Sequence, residues 1–299
     1  MTHTTAIELS KLVESARRLV RGEFGADDLA QAALSQIIRV GTSAGGARAK
    51  AAIAWNPKTN EIRAGQFDVD DGFEHWLLKF DGMGYDTELG ASQQYGRIEY
   101  AYHLMARAAG ITMTSCRLLE ENGCAHFMAK RFDREGDRKH HLQTLCAMTH
   151  LDYRQKGTQD YHQLFLTIDR LNLGYDAFEE AFRRMAFNVM AANCDDHTKD
   201  ISFLLRQGGA WELAPAYDLT HAHNPNGEWT FQHLMAVNGK FDGITRDDLL
   251  SVADRFGVGT AAKLLAQVGD AVAAWPSFAA QATISRLEAD KVRAHHQSL

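Results

Sequence analysis

The stretch Asn193-Cys194-Asp195-Asp196-His197-Thr198-Lys199-Asp200, continued by ISFLL at 201–205 and then by LAPAYDLTH at 213–221, decides how the chain is read. A helical pattern over 177–192, with Phe178, Phe182, Met185 and Val189 on one face and Asp176 with Glu179 spaced as a capping box, runs into Asn193. Two short runs of strand character, ISFLL and WELAP, follow. Asp195 and Asp196 therefore fall on a turn between helix and strand, and Asp218 follows the second strand, a hairpin's length away. Carboxylates so placed suit phosphoryl transfer. One orients and accepts the proton of an attacking hydroxyl, and another binds the Mg²⁺ that bridges the phosphates.

That chemistry also requires a cation on the nucleotide phosphates. Lys79 in HWLLKF (75–80) lies on a predicted strand and Glu99 in YGRIEYAYH (95–103) on a predicted helix. These are the order and element types of a phosphate-binding lysine held by a helix glutamate. Further upstream, GTSAGGARAKA (41–51) sets small residues before a strand, so its backbone N–H groups can approach phosphate oxygens. Gly41 and Gly46 have the spacing that opens a Walker A loop, but Ala47 stands where that motif requires lysine, and no GxGxxG occurs. Alone, this loop reads equally well as a tight turn and each lysine as a surface charge. The signal is the order of glycine loop, strand lysine, helix glutamate and acidic motifs.

The remainder is consistent with two lobes. With 299 residues and 45% hydrophobic content, the chain can bury one large core or two smaller ones. A helix is predicted over 5–21, with Lys11, Arg17, Arg18 and Arg21 as its solvated face. Strands follow in AAIAW, EIRAGQF and HWLLKF, then a helix over 95–109 with Ile98, Ala101, Tyr102, Met105 and Ala109 on one stripe. MTSCRLLEE and AHFMAKRFD form a hairpin about Asn122-Gly123. Beyond Arg134 helices dominate, including 247–256 and 259–274. The expected architecture is α+β and two-lobed, protein-kinase-like, with a helical segment at 1–40, a nucleotide-binding sheet-rich lobe at 41–133 and a helical catalytic lobe at 134–299. A net charge of -6 argues against bulk nucleic-acid affinity, leaving DNA contact indirect. Four cysteines without CxxC spacing read as reduced thiols, and no run approaches the length of a membrane span, so a cytoplasmic location is expected.

The loop with Ser43, Ala44, Gly45 and Lys50, the segment RFDR (131–134), the D-D-H-x-K stretch (195–199) and PAYD (215–218) together resemble the HipA family of bacterial toxin serine/threonine kinases. The resemblance spans about 41–256 and implies ATP and Mg²⁺ as cofactors. It implies Asp195 as the catalytic aspartate, supported by His197 and Lys199, with Asp200 and Asp218 as metal ligands. Nucleotide contacts would come from Ser43, Ala44, Gly45, Gly46, Lys50, the Lys79–Glu99 pair, Phe132 at the hinge, Asp133 near the ribose, and Tyr217. Ser43 matches the family's autophosphorylated loop serine, and Thr42 can share that role. The implied function is that of a toxin of a type II toxin-antitoxin system that phosphorylates a protein hydroxyl, with an aminoacyl-tRNA synthetase among the family's substrates. A HipB-like helix-turn-helix antitoxin is the implied partner. Asp200 departs from the family's asparagine and adds a third negative charge. Only about forty residues precede the glycine loop, as in short forms that receive the family's small N-terminal domain from a separate HipA N-terminal-domain-like protein.

Two other readings use the same residues. One is a small-molecule kinase of the aminoglycoside phosphotransferase type, for which the basic run RFDREGDRKHH is unsuited. The other is a catalytically weak kinase fold that binds and co-regulates the antitoxin. His221 and His223 form an H-x-H pair without an evident third metal ligand, expected on an exposed loop. Cys194 lacks an evident partner base. Trp76, Trp211, Trp229, Met185 and Met190 are expected in the core.

Overall fold

The computed structural model describes residues 8–21, 38–39, 49–65, 70–82, 94–136 and 138–299. The chain divides into two compact units, one of 1–86, 90–100 and 114–140, the other of 87–89, 101–113 and 141–299. The first unit is built on strands β1 (Ile38–Arg39), β2 (Lys50–Trp55), β3 (Ile62–Ala64), β4 (Glu74–Lys79), β5 (Cys116–Glu121) and β6 (Cys124–Lys130). They form an antiparallel sheet in the order β1-β2-β4-β6-β5, with β3 on β2. Residues 38–39 thus add a strand within the segment read as helical. Asn122 (φ 47°) and Gly123 (φ 81°) turn β5 into β6, the positive φ pair that a two-residue hairpin demands. A hairpin of β7 (Arg134–Glu135) and β8 (Arg138–Lys139) closes the unit.

Strand alternation sorts this sheet's two faces. Ala51, Ile53, Trp55, Trp76, Leu78 and Phe80 form one core with Leu12, Val13 and Ala16 of helix α1 (Leu9–Arg21). Each large side chain buried there contributes roughly 1.5–3 kcal/mol. The intervening residues, Lys50, His75 and Lys79 among them, leave by the opposite face. Helix α2 (Tyr95–Ala108) buries the predicted stripe of Ile98, Ala101, Tyr102 and Met105, followed by Ala109. Its Gly96 lies against β6: a Cβ there would stand 1.9 Å from the Ala125 carbonyl oxygen. Gly96→Ala should therefore destabilise by about 1–3 kcal/mol despite alanine's better helix propensity. A lower denaturation midpoint at unchanged slope is the expected reading.

The second unit begins with β9 (His141–Thr144), α3 (Leu145–Met148), β10 (Gln159–Asp160), α4 (Tyr161–Arg170) and α5 (Tyr175–Met190). After these come β11 (Ser202–Leu205), β12 (Trp211–Leu213), β13 (Met235–Ala236) and helices α6 (Arg246–Arg255), α7 (Ala261–Ala273), α8 (Trp275–Gln281) and α9 (Arg286–Arg293). α5 buries Phe182, Met185, Val189 and Met190. It starts from Gly174 (φ 81°) without a side-chain cap, so the capping box expected of Asp176 and Glu179 does not form; Glu179 instead accepts from Thr260. Capping boxes do form at Asp160–Gln163 and Thr245–Asp248. Trp76 is buried as expected, whereas Trp211 and Trp229 are half-buried, against His141 and under Lys156 respectively. All four cysteines are free thiols. No helix among the described residues is long and apolar enough to cross a membrane.

Candidate active site

Register in the first unit brings two lysines together. Lys50 and Lys79 are direct cross-strand partners in the β2–β4 ladder, and both are buried. Like charges so placed repel. Glu99, one helical turn into α2, offsets this: its Oε1 accepts from Lys79 Nζ at 2.6 Å, with the two side chains 1% and 9% exposed. The Phe127 ring also lies 5.9 Å from Nζ. The lysine and glutamate singled out in the sequence are therefore in contact. Thr42, Ser43, Ala44, Gly45 and Gly46 lie outside the described residues.

Asp133, for which the family resemblance implies a place near the ribose, is held between two arginines. Arg131 donates to both of its carboxylate oxygens at 2.6 and 2.5 Å, and Arg134 donates to one at 2.5 Å. Burial would raise its pKa, but the two guanidinium groups hold it below the usual carboxylate value. Asp133 thus braces the segment that carries the half-buried Phe132.

In the second unit, the loop after α5 is set by its backbone. Ala192 adopts φ 52°, Asn193 N–H returns to the Asn188 carbonyl at 2.9 Å, and Cys194 N–H donates to Ala222 O at 2.9 Å while Ala222 N–H donates to Ala192 O. The β10–β13 pairing then delivers Tyr161, the first residue of α4, and His233 to the same point. That point is Asp196, whose side chain is wholly buried. Its Oδ2 accepts from Tyr161 Oη (2.9 Å) and His233 Nδ1 (3.0 Å), and its Oδ1 from Leu234 N–H (2.8 Å). Asn188 extends the network to Tyr161 and Asn193. Burial alone would lower the His233 pKa; the charge and hydrogen bond of Asp196 overcome it and push the value up to about 10.

Asp196 is therefore the anchor of the loop, and Asp195 is the partly exposed carboxylate beside it. The Asp195 side chain is 35% exposed and lies 3.9 Å from His197 Nε2, whose Nδ1 is 3.1 Å from Asp200 Oδ2. Among the described residues, Asp195, His197 and Asp200 are the group whose ligand atoms all lie within 4.8 Å of one another. Lys199 Nζ sits 3.9 Å from the centre of the Tyr153 ring, which also meets His197 edge-on. The Tyr217 hydroxyl bonds the Lys199 carbonyl (2.7 Å) and Ser202 Oγ, bracing the loop. Burial raises its pKa, and the carboxylates of Asp200 and Asp218 raise it further. Asp218 itself adopts φ 58°, a conformation that side-chain residues other than asparagine and aspartate rarely take. For Mg²⁺ the donor chemistry fits, since carboxylate oxygens suit a hard cation, and Asp200 is grouped with Asp195 and His197.

The anchor went unread in the sequence because its partners are 35 and 37 residues away. Tyr161 and His233 carry no local signal, and Asp196 looks like a second catalytic candidate beside Asp195.

An antiparallel sheet with a helix-held buried lysine, and a helical unit with an acidic loop between α5 and a short hairpin, make up a kinase-like α+β fold. Residues 42–275 match the family described as the HipA-like C-terminal domain, and the chain belongs to that family. Among solved structures it is similar to HipA of the Shewanella oneidensis MR-1 toxin-antitoxin system, determined in complex with HipB and operator DNA. That match has a TM-score of 0.70 at 17% identity and covers 98% of this chain and 70% of the other. The proinflammatory kinase CtkA of Helicobacter pylori matches at a TM-score of 0.47 and 10% identity, over 86% of this chain and 91% of that one. No curated protein matches the chain in sequence.

Proposed function

We propose that the chain is an ATP-dependent serine/threonine protein kinase, the toxin of a type II toxin-antitoxin system, acting on a protein hydroxyl and on its own glycine loop. The observation that carries this reading is the buried Lys79–Glu99 ion pair. A lysine desolvated to this degree is costly to keep. Its use is to fix a cation for anionic phosphates, and Lys50 leaves the same sheet face beside it. In the catalytic unit, Asp195 takes the proton of the attacking hydroxyl, with His197 and Lys199 shaping the loop around it. Asp200 and Asp218 would hold Mg²⁺, which when bound neutralises the charge developing on the phosphates. The partner proposed is a HipB-like antitoxin, because the similar Shewanella protein was determined with HipB. An aminoacyl-tRNA synthetase is the proposed substrate, on the family resemblance.

The purified chain with Mg²⁺ and radiolabelled ATP is expected to incorporate phosphate at Ser43, located by mass spectrometry. Lys79→Met should cut this labelling by about 10²-fold or more by removing the phosphate cation. ATP binding without any labelling would instead favour a non-catalytic co-regulator of the antitoxin.

A further inference from the structure

The H-x-H pair at 221–223 is not on an exposed loop. His221 Nε2 lies 2.9 Å from His295 Nδ1 with the two rings stacked, and the His223 ring packs edge-on against His295. A small cavity opens beside them, and Cys194, His223, His233, His295 and Asp242 contribute to its wall. Cys194 Sγ is 3.7 Å from His223 Nδ1 and 3.9 Å from His233 Nε2. The function proposed above uses none of these groups as ligands.

We propose that Cys194, His223 and His233 bind a divalent ion of the zinc type, with water or His295 in the fourth position. One sulfur and two imidazole nitrogens are donors that select zinc over magnesium. Zn–S and Zn–N bonds of about 2.3 and 2.0–2.1 Å put neighbouring tetrahedral ligands about 3.5 Å apart. Both sulfur–nitrogen separations are already near that value. His233 is also oriented as a ligating histidine normally is: its Nδ1 faces the Asp196 carboxylate at 3.0 Å and its Nε2 the sulfur, and the ion takes the place of the protons on Nε2 and on the Cys194 thiol, which are released to solvent. The three donor atoms do not yet all lie within 4.8 Å of one another. The half-exposed His223 closes the shell by turning toward the ion into the cavity. A bound ion would fasten the residue before Asp195 to the segments at 223 and 233, making it a clamp on the loop.

The test uses the full chain after chelator treatment, with Zn²⁺ in calorimetry and Co²⁺ as the spectroscopic probe. One equivalent should bind, and cobalt should show tetrahedral bands with a thiolate charge-transfer band. Cys194→Ser should abolish the charge-transfer band, and His223→Gln, on a half-exposed loop and so spared a folding defect, should weaken zinc by at least about 10-fold. Asp200→Asn should retain the thiolate band, which separates this site from the acidic group at 195–200. Absence of stoichiometric zinc binding, cobalt binding without a thiolate band, or wild-type affinity in both the Cys194 and His223 variants would overturn the proposal.

Discussion

Asp195→Ala is expected to lower phosphate transfer by about 10³-fold while leaving the fold intact, as measured by initial rates of labelling and by a denaturation curve. The two effects separate because neighbouring aspartates divide the work. Asp195 is partly exposed and lies 3.9 Å from His197 Nε2. Asp196 holds the loop through Tyr161, His233 and Leu234 N–H. On the function proposed, removing Asp195 takes away the proton acceptor while Asp196 still holds the backbone that carried it. Asp195→Asn keeps the shape and loses only the basicity, so it should be nearly as slow. A rate within a factor of two of wild type in either variant would remove Asp195 from the chemistry.

Asp196→Ala should act in the opposite way, costing about 3–5 kcal/mol of stability, because it leaves a buried histidine without its counter-charge and several donors without an acceptor. The pH dependence carries the signature. His233 has its folded pKa raised from 6.5 to about 10, so its contribution is fully present below about pH 6.5 and is lost as pH rises toward 10. Wild-type stability should therefore fall across that interval, by up to about 1.4 kcal/mol per pH unit from this group. Without Asp196, burial, the largest influence on His233, is opposed only by Cys194 and lowers the pKa. The dependence then moves to the acid side of 6.5, where protonation opposes folding. Denaturant titrations run from the acid side of pH 6.5 up to about pH 10 would show the reversal. An unchanged alkaline slope in the variant would contradict the assignment.

Much of the fold was legible because its signals are local. Period-2 alternation in HWLLKF and AAIAW, the Asn122-Gly123 turn and the stripe on α2 each need only a few residues of context. Lys79 and Glu99 were legible as well, since their order on strand and helix is itself the motif. The contacts that were not legible are those supplied from further along the chain. Tyr217 is met by the Lys199 carbonyl and Ser202, and His221 and His223 are met by His295. Composition shows that such groups exist but not which of them meet. The cap expected at Asp176 failed for a related reason. Glu179 had a competing tertiary partner in Thr260, and the chain enters α5 through Gly174 instead.

The pairing of Lys50 with Lys79 across β2 and β4 makes the lengths of these strands part of the phosphate site proposed above. Inserting one residue in the turn at 56–60 leaves the ladder unchanged, whereas inserting one inside β2 moves Lys50 to the face packed on α1 and an alanine into its place. Divergence in this sheet should therefore accumulate as insertions in its turns and as substitutions in its strands, with single-residue insertions in β2 and β4 absent from active descendants.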